Sequence, residues 1–268
     1  MSYKFGFIGA GNMGGALAQA VMKSVGNDNV YISCKDDAET KAKALELGCN
    51  ASSNTEIANN CDYIFLGVKP QMMADMLKGI STILSSRKDN FVLVSMAAGL
   101  SIEKISAFAN GDYPIIRIMP NTPVSVGEGM VLASKNNNVT DLQFDSFKTA
   151  MAHCGKLNLL DEKLIDAGCA VSGCGPAFVY LFIEALADGG VEAGLPRDKA
   201  LEYAAQTVLG AAKMVLNTDK HPGELKDAVC SPGGSTIAGV HALENNAFRA
   251  TAMEAVKAAF ERTKELGK

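Results

Sequence analysis

The sequence predicts an α/β fold, a doubly wound parallel sheet over residues 1–160 followed by an all-helical part over 161–268. Three observations predict it. Short apolar runs alternate with helical patterns through the first part, a glycine-rich turn joins the first strand to the first helix, and strand signals stop after Asp161.

Lys4–Ile8 reads as the first strand, and it ends in Gly9-Ala10-Gly11-Asn12-Met13-Gly14. Met13, Ala16, Leu17, Ala20 and Val21 then recur at helical spacing, so a helix follows at once. Val30–Ser33 closes a unit of about thirty residues, the length of a βαβ element. Further buried-type strands are Tyr63–Val68, Phe91–Ser95 and Ile115–Met119, then Gly129–Ser134 and Leu157–Leu160. Thr140 with Gln143 forms a capping box ahead of a helix that ends near Gly155. The second part holds helical patterns at 162–171, 176–193, 197–216, 222–229, 235–245 and 247–266. Pro196 and Pro222 suit first turns, where a missing N–H costs nothing. Helices this apolar on several faces, in a part of about 105 residues, imply burial against a second subunit.

Composition narrows the function. Of 268 residues, 48% are hydrophobic and 20% charged, which suits a folded globular chain. Twenty-five basic against 29 acidic residues give a net charge of −4 with no basic block, so nucleic acid is not the expected partner. Trp is absent and aromatics are 6%, which leaves few stacking platforms. The seven cysteines are odd in number and form no Cys-x-x-Cys pair, and the three histidines stand far apart. No metal pattern follows, and a reduced, cytoplasmic, soluble protein is expected. Glycines break the only apolar core near the N-terminus, so no secretory leader is expected there. The longest apolar stretch, Ala177–Ala187, carries Glu184 and is shorter than a membrane span, so no membrane is expected either.

The glycine pattern Gly9-x-Gly11-x-x-Gly14 carries the strongest chemical signal. Gly9 permits a tight turn, Gly11 admits a pyrophosphate close to the backbone, and Gly14 lets helix and strand pack closely. The helix N-terminus then offers unpaired N–H groups and a positive dipole to phosphate. Lying between a first strand and an amphipathic helix, the pattern reads as a dinucleotide site of Rossmann type.

The end of the second strand reports which dinucleotide. A carboxylate there suits NAD and repels a 2′-phosphate. Ser33-Cys34-Lys35 favours NADP; the alternative is that Lys35 is a solvated loop charge and Asp36 swings in to the ribose. Gly67-Val68-Lys69-Pro70 and Ser95-Met96-Ala97-Ala98-Gly99 end later strands, where ligands lie in open α/β sheets. The competing reading of each is an ordinary βα turn, and Asn54 taken alone reads as a turn or cap residue. Ser231-Pro232-Gly233-Gly234-Ser235-Thr236, just before a helix, is a second anion-type turn, with a plain helix–helix turn as its alternative. Ser172-Gly173-Cys174-Gly175-Pro176 lacks the Gly-x-Ser-x-Gly pattern and has no nearby His, so acyl transfer is not expected.

Several segments appear together and in order: Gly-Phe-Ile-Gly-Ala-Gly-Asn-Met-Gly at 6–14, Val-Lys-Pro at 68–70, Ala-Ala-Gly at 97–99 and Arg-Ile-Met-Pro-Asn-Thr-Pro at 117–123. Val-Ser-Gly-Cys-Gly-Pro-Ala at 171–177, Ala-Asp-Gly-Gly at 187–190, His-Pro-Gly-Glu-Leu-Lys-Asp at 221–227 and Val-Cys-Ser-Pro-Gly-Gly-Ser-Thr-Ile at 229–237 follow. Over essentially its whole length the chain resembles the pyrroline-5-carboxylate reductases, the enzymes that close proline biosynthesis. The glycine fingerprint is generic, whereas the Ser-Pro-Gly-Gly-Ser-Thr segment is highly specific.

The resemblance implies a Rossmann domain, a helical dimerisation domain, and larger assemblies of dimers. It implies NADPH as cofactor, with NADH possible, and 1-pyrroline-5-carboxylate as the small-molecule substrate. Cofactor contacts carry over to Ile8, Gly9, Ala10, Gly11, Asn12, Met13, Ser33, Cys34, Lys35, Asn54, Val68, Lys69, Ala97 and Ala98. Substrate contacts carry over to Ser231, Gly233, Gly234, Ser235 and Thr236, with Thr236 at the ring nitrogen as the catalytic residue. Asp219 stands where some members have Glu and is left out. Two other readings compete. A β-hydroxyacid dehydrogenase would need a Lys after 168–177, where the next is Lys199; a non-enzymatic NADP-binding sensor would show no turnover.

Overall fold

The computed structural model describes residues 3–266. Eight strands form one sheet in the order β3-β2-β1-β4-β5-β6-β7-β8. The strands are β1 (Phe5–Ile8), β2 (Val30–Ser33), β3 (Asn50–Ala51), β4 (Tyr63–Leu66), β5 (Val92–Ser95), β6 (Ile115–Met119), β7 (Gly129–Lys135) and β8 (Gly155–Leu159). The helices around the sheet are α1 (Asn12–Val25), α2 (Asp37–Leu47), α3 (Asn54–Asn60), α4 (Met73–Ser86), α5 (Ile102–Ala109), α6 (Asp141–Ala150) and α7 (Ile165–Ser172). Strands β1 to β6 run parallel in the order of a Rossmann sheet.

Alternation along each strand builds two apolar layers. Phe5, Phe7, Tyr63, Phe65, Val94 and Ile118 face one layer with α1 and α6. Ile8, Ile64, Leu66, Leu93 and Ile115 face the other, with α3, α4 and α5. Aromatic stacks fix the β1–β4 pairing: Phe7 lies 4.3 Å from Phe65 and Phe5 lies 4.9 Å from Tyr63, between ring centroids. Such pairs add about 0.5–1.5 kcal/mol each beyond burial. The order reverses between β2 and β4, so a crevice opens at the carboxyl ends of these neighbours of β1.

Three sequence expectations need correction. The sheet is not wholly parallel: β7 runs antiparallel to β6, and β8 follows β7. The link from Met119 to Gly129 holds only a short 3-10 turn at Thr122–Val126, and a parallel return needs a longer crossover. The two-residue β3, too short to give a periodicity, is an added edge strand. The helix begun by the Thr140–Gln143 capping box ends at Ala150, and a 3-10 turn fills Ala152–Cys154.

The chain divides into one unit up to Cys174, joined by the stretch from Ala259 on, and a second, Gly175–Ala258. The first unit reaches past residue 160 because α7 buries Ile165 and Cys169 against Met119 and Leu132 of the sheet. Arg117 on β6 anchors the approach to α7. It is 3% exposed and contacts Glu162 at 3.3 Å and Asp166 at 2.7 Å.

The remaining helices are α8 (Gly175–Glu192), α9 (Arg197–Asn217), α10 (Pro222–Ala228), α11 (Ser235–Asn245) and α12 (Phe248–Leu266). Within the second unit, α8 and α9 pack through Ala187, Ala200 and Ala204. Many larger apolar side chains of this unit stand exposed, among them Leu181, Tyr203, Leu216 and Met253. The helical run 162–192 is long and apolar enough to cross a membrane by length and composition, well beyond the 177–187 stretch that stands out in the sequence.

Candidate functional site

The crevice beside β1 holds a cavity of about 780 Å³. Ile8, Gly9, Cys34, Lys35, Asn54, Val68 and Lys69 line it, all singled out from the sequence. Gly67, in the strand-end segment read from the sequence, also lines it, as do Gln71, Met72, Asp75 and Met76, which were not foreseen. Met72 and Met76, one turn apart, carry only the ordinary signature of an amphipathic helix, so no sequence signal marks them.

Two glycines make this crevice in different ways. Gly9 has φ +93°, and a side chain there would press on the Gly67 carbonyl group and the Val68 nitrogen at 2.8–2.9 Å. The fold itself requires glycine at position 9. At Gly11 a Cβ would meet no protein atom within 4 Å, and its φ of −68° suits any residue. Bareness there serves the space in front of the helix instead.

That space faces the positive end of α1. Its first turn has no side-chain cap and no acidic residue, so the N–H groups of Asn12, Met13 and Gly14 lack intrahelical partners. The N–H groups of Gly9 and Ala10 are already committed, donating to the Ser33 carbonyl at 2.9 and 3.1 Å. Phosphate donors are therefore concentrated at 12–14, one step beyond the residues of the tight turn. An uncapped helix end behind a bare glycine fits a pyrophosphate.

Lys35 is exposed, lines the cavity, and has no hydrogen-bond or ion-pair partner among the described residues. Asp36 is turned away from the ribose role: its carboxylate caps α2, accepting the Glu39 N–H at 2.9 Å. Ser33 is buried, and its hydroxyl donates to the Asn54 side chain at 2.6 Å. Burial pushes the Cys34 thiol above its usual range, with the Glu39 charge adding to the effect, so Cys34 is a neutral wall. A cation beside a neutral thiol is chemically suited to a 2′-phosphate; Asp75, a carboxylate, lines the same cavity. Ala97 and Ala98 follow β5, the parallel neighbour of β4; Ala97 is buried and Ala98 exposed.

In the second unit, Ser231–Thr236 forms an exposed turn leading into α11. The Ser231 carbonyl accepts the Gly234 N–H at 3.0 Å, with Pro232 and Gly233 (φ +69°) between them. Proline then glycine is the residue choice of a type II turn. Gly234 at the helix start supplies no side-chain cap, and the first turn of α11 holds no acidic residue, so this helix end too is open to an anion. Thr207, Thr218, Thr251 and Thr263 each donate to the carbonyl four residues before. Thr236, at the second position of its helix, has no hydrogen-bond partner among the described residues, and its hydroxyl is exposed.

Comparison with known proteins agrees with both halves. Residues 162–266 match the family model described as pyrroline-5-carboxylate reductase dimerisation, and 4–99 match one described as NADP oxidoreductase coenzyme F420-dependent. The pyrroline-5-carboxylate reductase of Glycine max is 42% identical over 99% of this chain and 96% of its own length. The Escherichia coli enzyme of that name is 40% identical over the whole of both chains. A Plasmodium falciparum pyrroline carboxylate reductase, solved with NADP bound, superposes with a TM-score of 0.88 at 38% identity, covering 99% of this chain and 98% of that one. With a Rossmann unit, a helical dimerisation domain and end-to-end similarity of this degree, the chain belongs to the pyrroline-5-carboxylate reductase family.

Proposed function

We propose that the chain reduces 1-pyrroline-5-carboxylate to L-proline with NADPH, with NADH as the poorer donor. One observation carries the reading: similarity of about 40% identity runs end to end, through both the nucleotide crevice and the 231–236 turn. The reduced nicotinamide supplies a hydride to the C=N carbon of the ring. The protein's share is orientation and the exclusion of water.

In this reading α1 and the bare space before Gly11 hold the pyrophosphate, and Lys35 meets the 2′-phosphate. Backbone N–H groups at the start of α11 receive the substrate carboxylate. The Thr236 hydroxyl bonds the ring nitrogen, which gains electron density as hydride arrives. With only a hydroxyl at that nitrogen, the proton comes from solvent.

The wider assignments rest on the same reading. Residues 161–268 form a homodimer whose contact covers the exposed apolar helices, and the dimers join in a larger assembly. A second subunit also accounts for the apolar run 162–192 without a bilayer. The seven free cysteines support a reducing, cytoplasmic location. Purified protein should consume reduced nicotinamide only when pyrroline-5-carboxylate is added, with L-proline identified by mass spectrometry. Cofactor binding without turnover would instead support the sensor reading.

A further inference from the structure

Lys35 and Asp36 stand side by side and offer opposite answers to the cofactor question. A cation welcomes a 2′-phosphate; a carboxylate welcomes a free 2′-hydroxyl and repels the phosphate. The structure sorts them through a residue of α2. Thr40 is 5% exposed. Its hydroxyl accepts the Cys34 N–H at 2.8 Å and donates to the Asp36 carbonyl at 2.8 Å. The two bonds bracket Lys35. They hold the loop while the Asp36 carboxylate caps its own helix through the Glu39 N–H at 2.9 Å.

We propose that Thr40 is a positioning residue for cofactor choice, its hydroxyl holding the 34–36 loop so that Lys35, and not Asp36, meets the 2′ position. The inference rests on the NADPH reading of the crevice given above. Thr suits the task for two reasons. Its branched side chain has few rotamers in a helix, so the hydroxyl has a fixed place. A buried hydroxyl bonded on both sides is hard to replace, because losing it leaves the Cys34 N–H unpaired. The Asp36 carbonyl keeps the Thr40 N–H at 2.9 Å, so α2 itself survives the loss. What changes is the loop, which is freed to bring the Asp36 carboxylate towards the cavity.

The test measures kcat and KM for NADPH and NADH, and inhibition by 2′,5′-ADP against 5′-ADP, with melting curves for every variant. Thr40→Val should lower the NADPH-to-NADH ratio of kcat/KM about tenfold, the scale of one bond to a charged group, through KM with kcat held. Inhibition by 2′,5′-ADP should weaken in parallel while that by 5′-ADP stays. Thr40→Ser keeps the hydroxyl and should keep the ratio. Adding Asp36→Asn to Thr40→Val, which preserves the helix cap but removes the charge, should restore the preference. If Thr40→Val does not fold, Thr40→Ala carries the same test in a residue that helices accept readily.

A wild type that prefers NADPH, alongside Thr40→Val with an unchanged ratio, overturns the proposal alone. So does an equal loss with both cofactors, which marks a merely structural threonine. A wild type indifferent to the 2′-phosphate overturns the cofactor reading and the proposal with it.

Discussion

The Ser33 hydroxyl donates to the Asn54 side-chain oxygen at 2.6 Å, tying the carboxyl end of β2 to the first turn of α3. Ser33 is 2% exposed, so this bond lies on the wall of the crevice and not in its opening. It holds the Asn54 amide, whose nitrogen has no partner among the described residues, on a residue that lines the cavity. Ser33→Ala frees that amide to rotate. KM for NADPH should rise by about fivefold with kcat held, the scale of one neutral hydrogen bond. Steady-state kinetics check this; an unchanged KM would show that the Ser33–Asn54 tie has no bearing on cofactor.

Lys35 is the cation available to a 2′-phosphate at the end of β2. Lys35→Asp replaces attraction by repulsion and should erase or reverse the preference for NADPH. The loss should also shrink as salt rises, because Lys35 is exposed and its field is screened. Equal kcat/KM with both cofactors in the wild type would defeat this account.

Gly9 and Gly11 should fail in different ways when each is changed to Ala. At position 9 the fold holds φ at +93°, which alanine disfavours, and the new side chain presses on the 67–68 backbone, so stability and activity fall together. At position 11 the new methyl touches no protein atom, so the melting temperature should stay close to wild type. The methyl instead occupies the space before the uncapped end of α1, and NADPH affinity should drop at least about tenfold, the loss of one charge-assisted contact. Thermal melts beside fluorescence titration separate the two outcomes.

Light scattering of the full chain should give at least twice the monomer mass. Leu181 on α8, 66% exposed in the single chain, is one of the apolar residues that a partner subunit would cover. Leu181→Glu places a charge in that contact and should shift the protein towards monomer, with turnover lost and NADPH binding kept. A wild-type monomer at micromolar concentration would contradict the assignment.

Much of this was legible in the residues. Val30–Ser33, Ile115–Met119 and the helix at 235–245 have the ends that the sequence predicts, because apolar period and turn residues agree there. The direction of β7 was legible and missed. The strand ends read at Met119 and Gly129 leave nine residues, 120–128, too few for a parallel crossover, but the alternation of strand and helix elsewhere drew the reading to an all-parallel sheet. Within the crevice, the glycines and strand ends announce themselves by type and spacing. Thr40 does not, since its two bonds arise from the path of the 34–36 loop. Gly9 and Ala10 reveal the same limit: their N–H groups look available in the motif, yet the Ser33 carbonyl takes both.

Thr236 gives the sharpest test of the chemistry. Its hydroxyl is exposed at the start of α11 and, unlike the other helical threonines named above, does not bond back to its own helix. In the proposed reading it is free to donate to or accept from the substrate's ring nitrogen, with the substrate carboxylate on the N–H groups beside it. Nitrogen gains basicity as hydride reaches the neighbouring carbon, so the bond should strengthen towards the transition state and appear in kcat. A bond to a charged group is worth about 1.5–3 kcal/mol, so Thr236→Ala should lower kcat/KM roughly ten- to a hundredfold. NADPH affinity should stay close to wild type, because in the proposed reading its phosphates are held by α1 and Lys35, not by Thr236. Thr236→Ser keeps the hydroxyl, loses only a methyl contact, and should retain much of the activity. If Thr236→Ala folds normally and matches wild type, the hydroxyl has no part in the reaction. The 231–236 turn would then serve the substrate carboxylate alone.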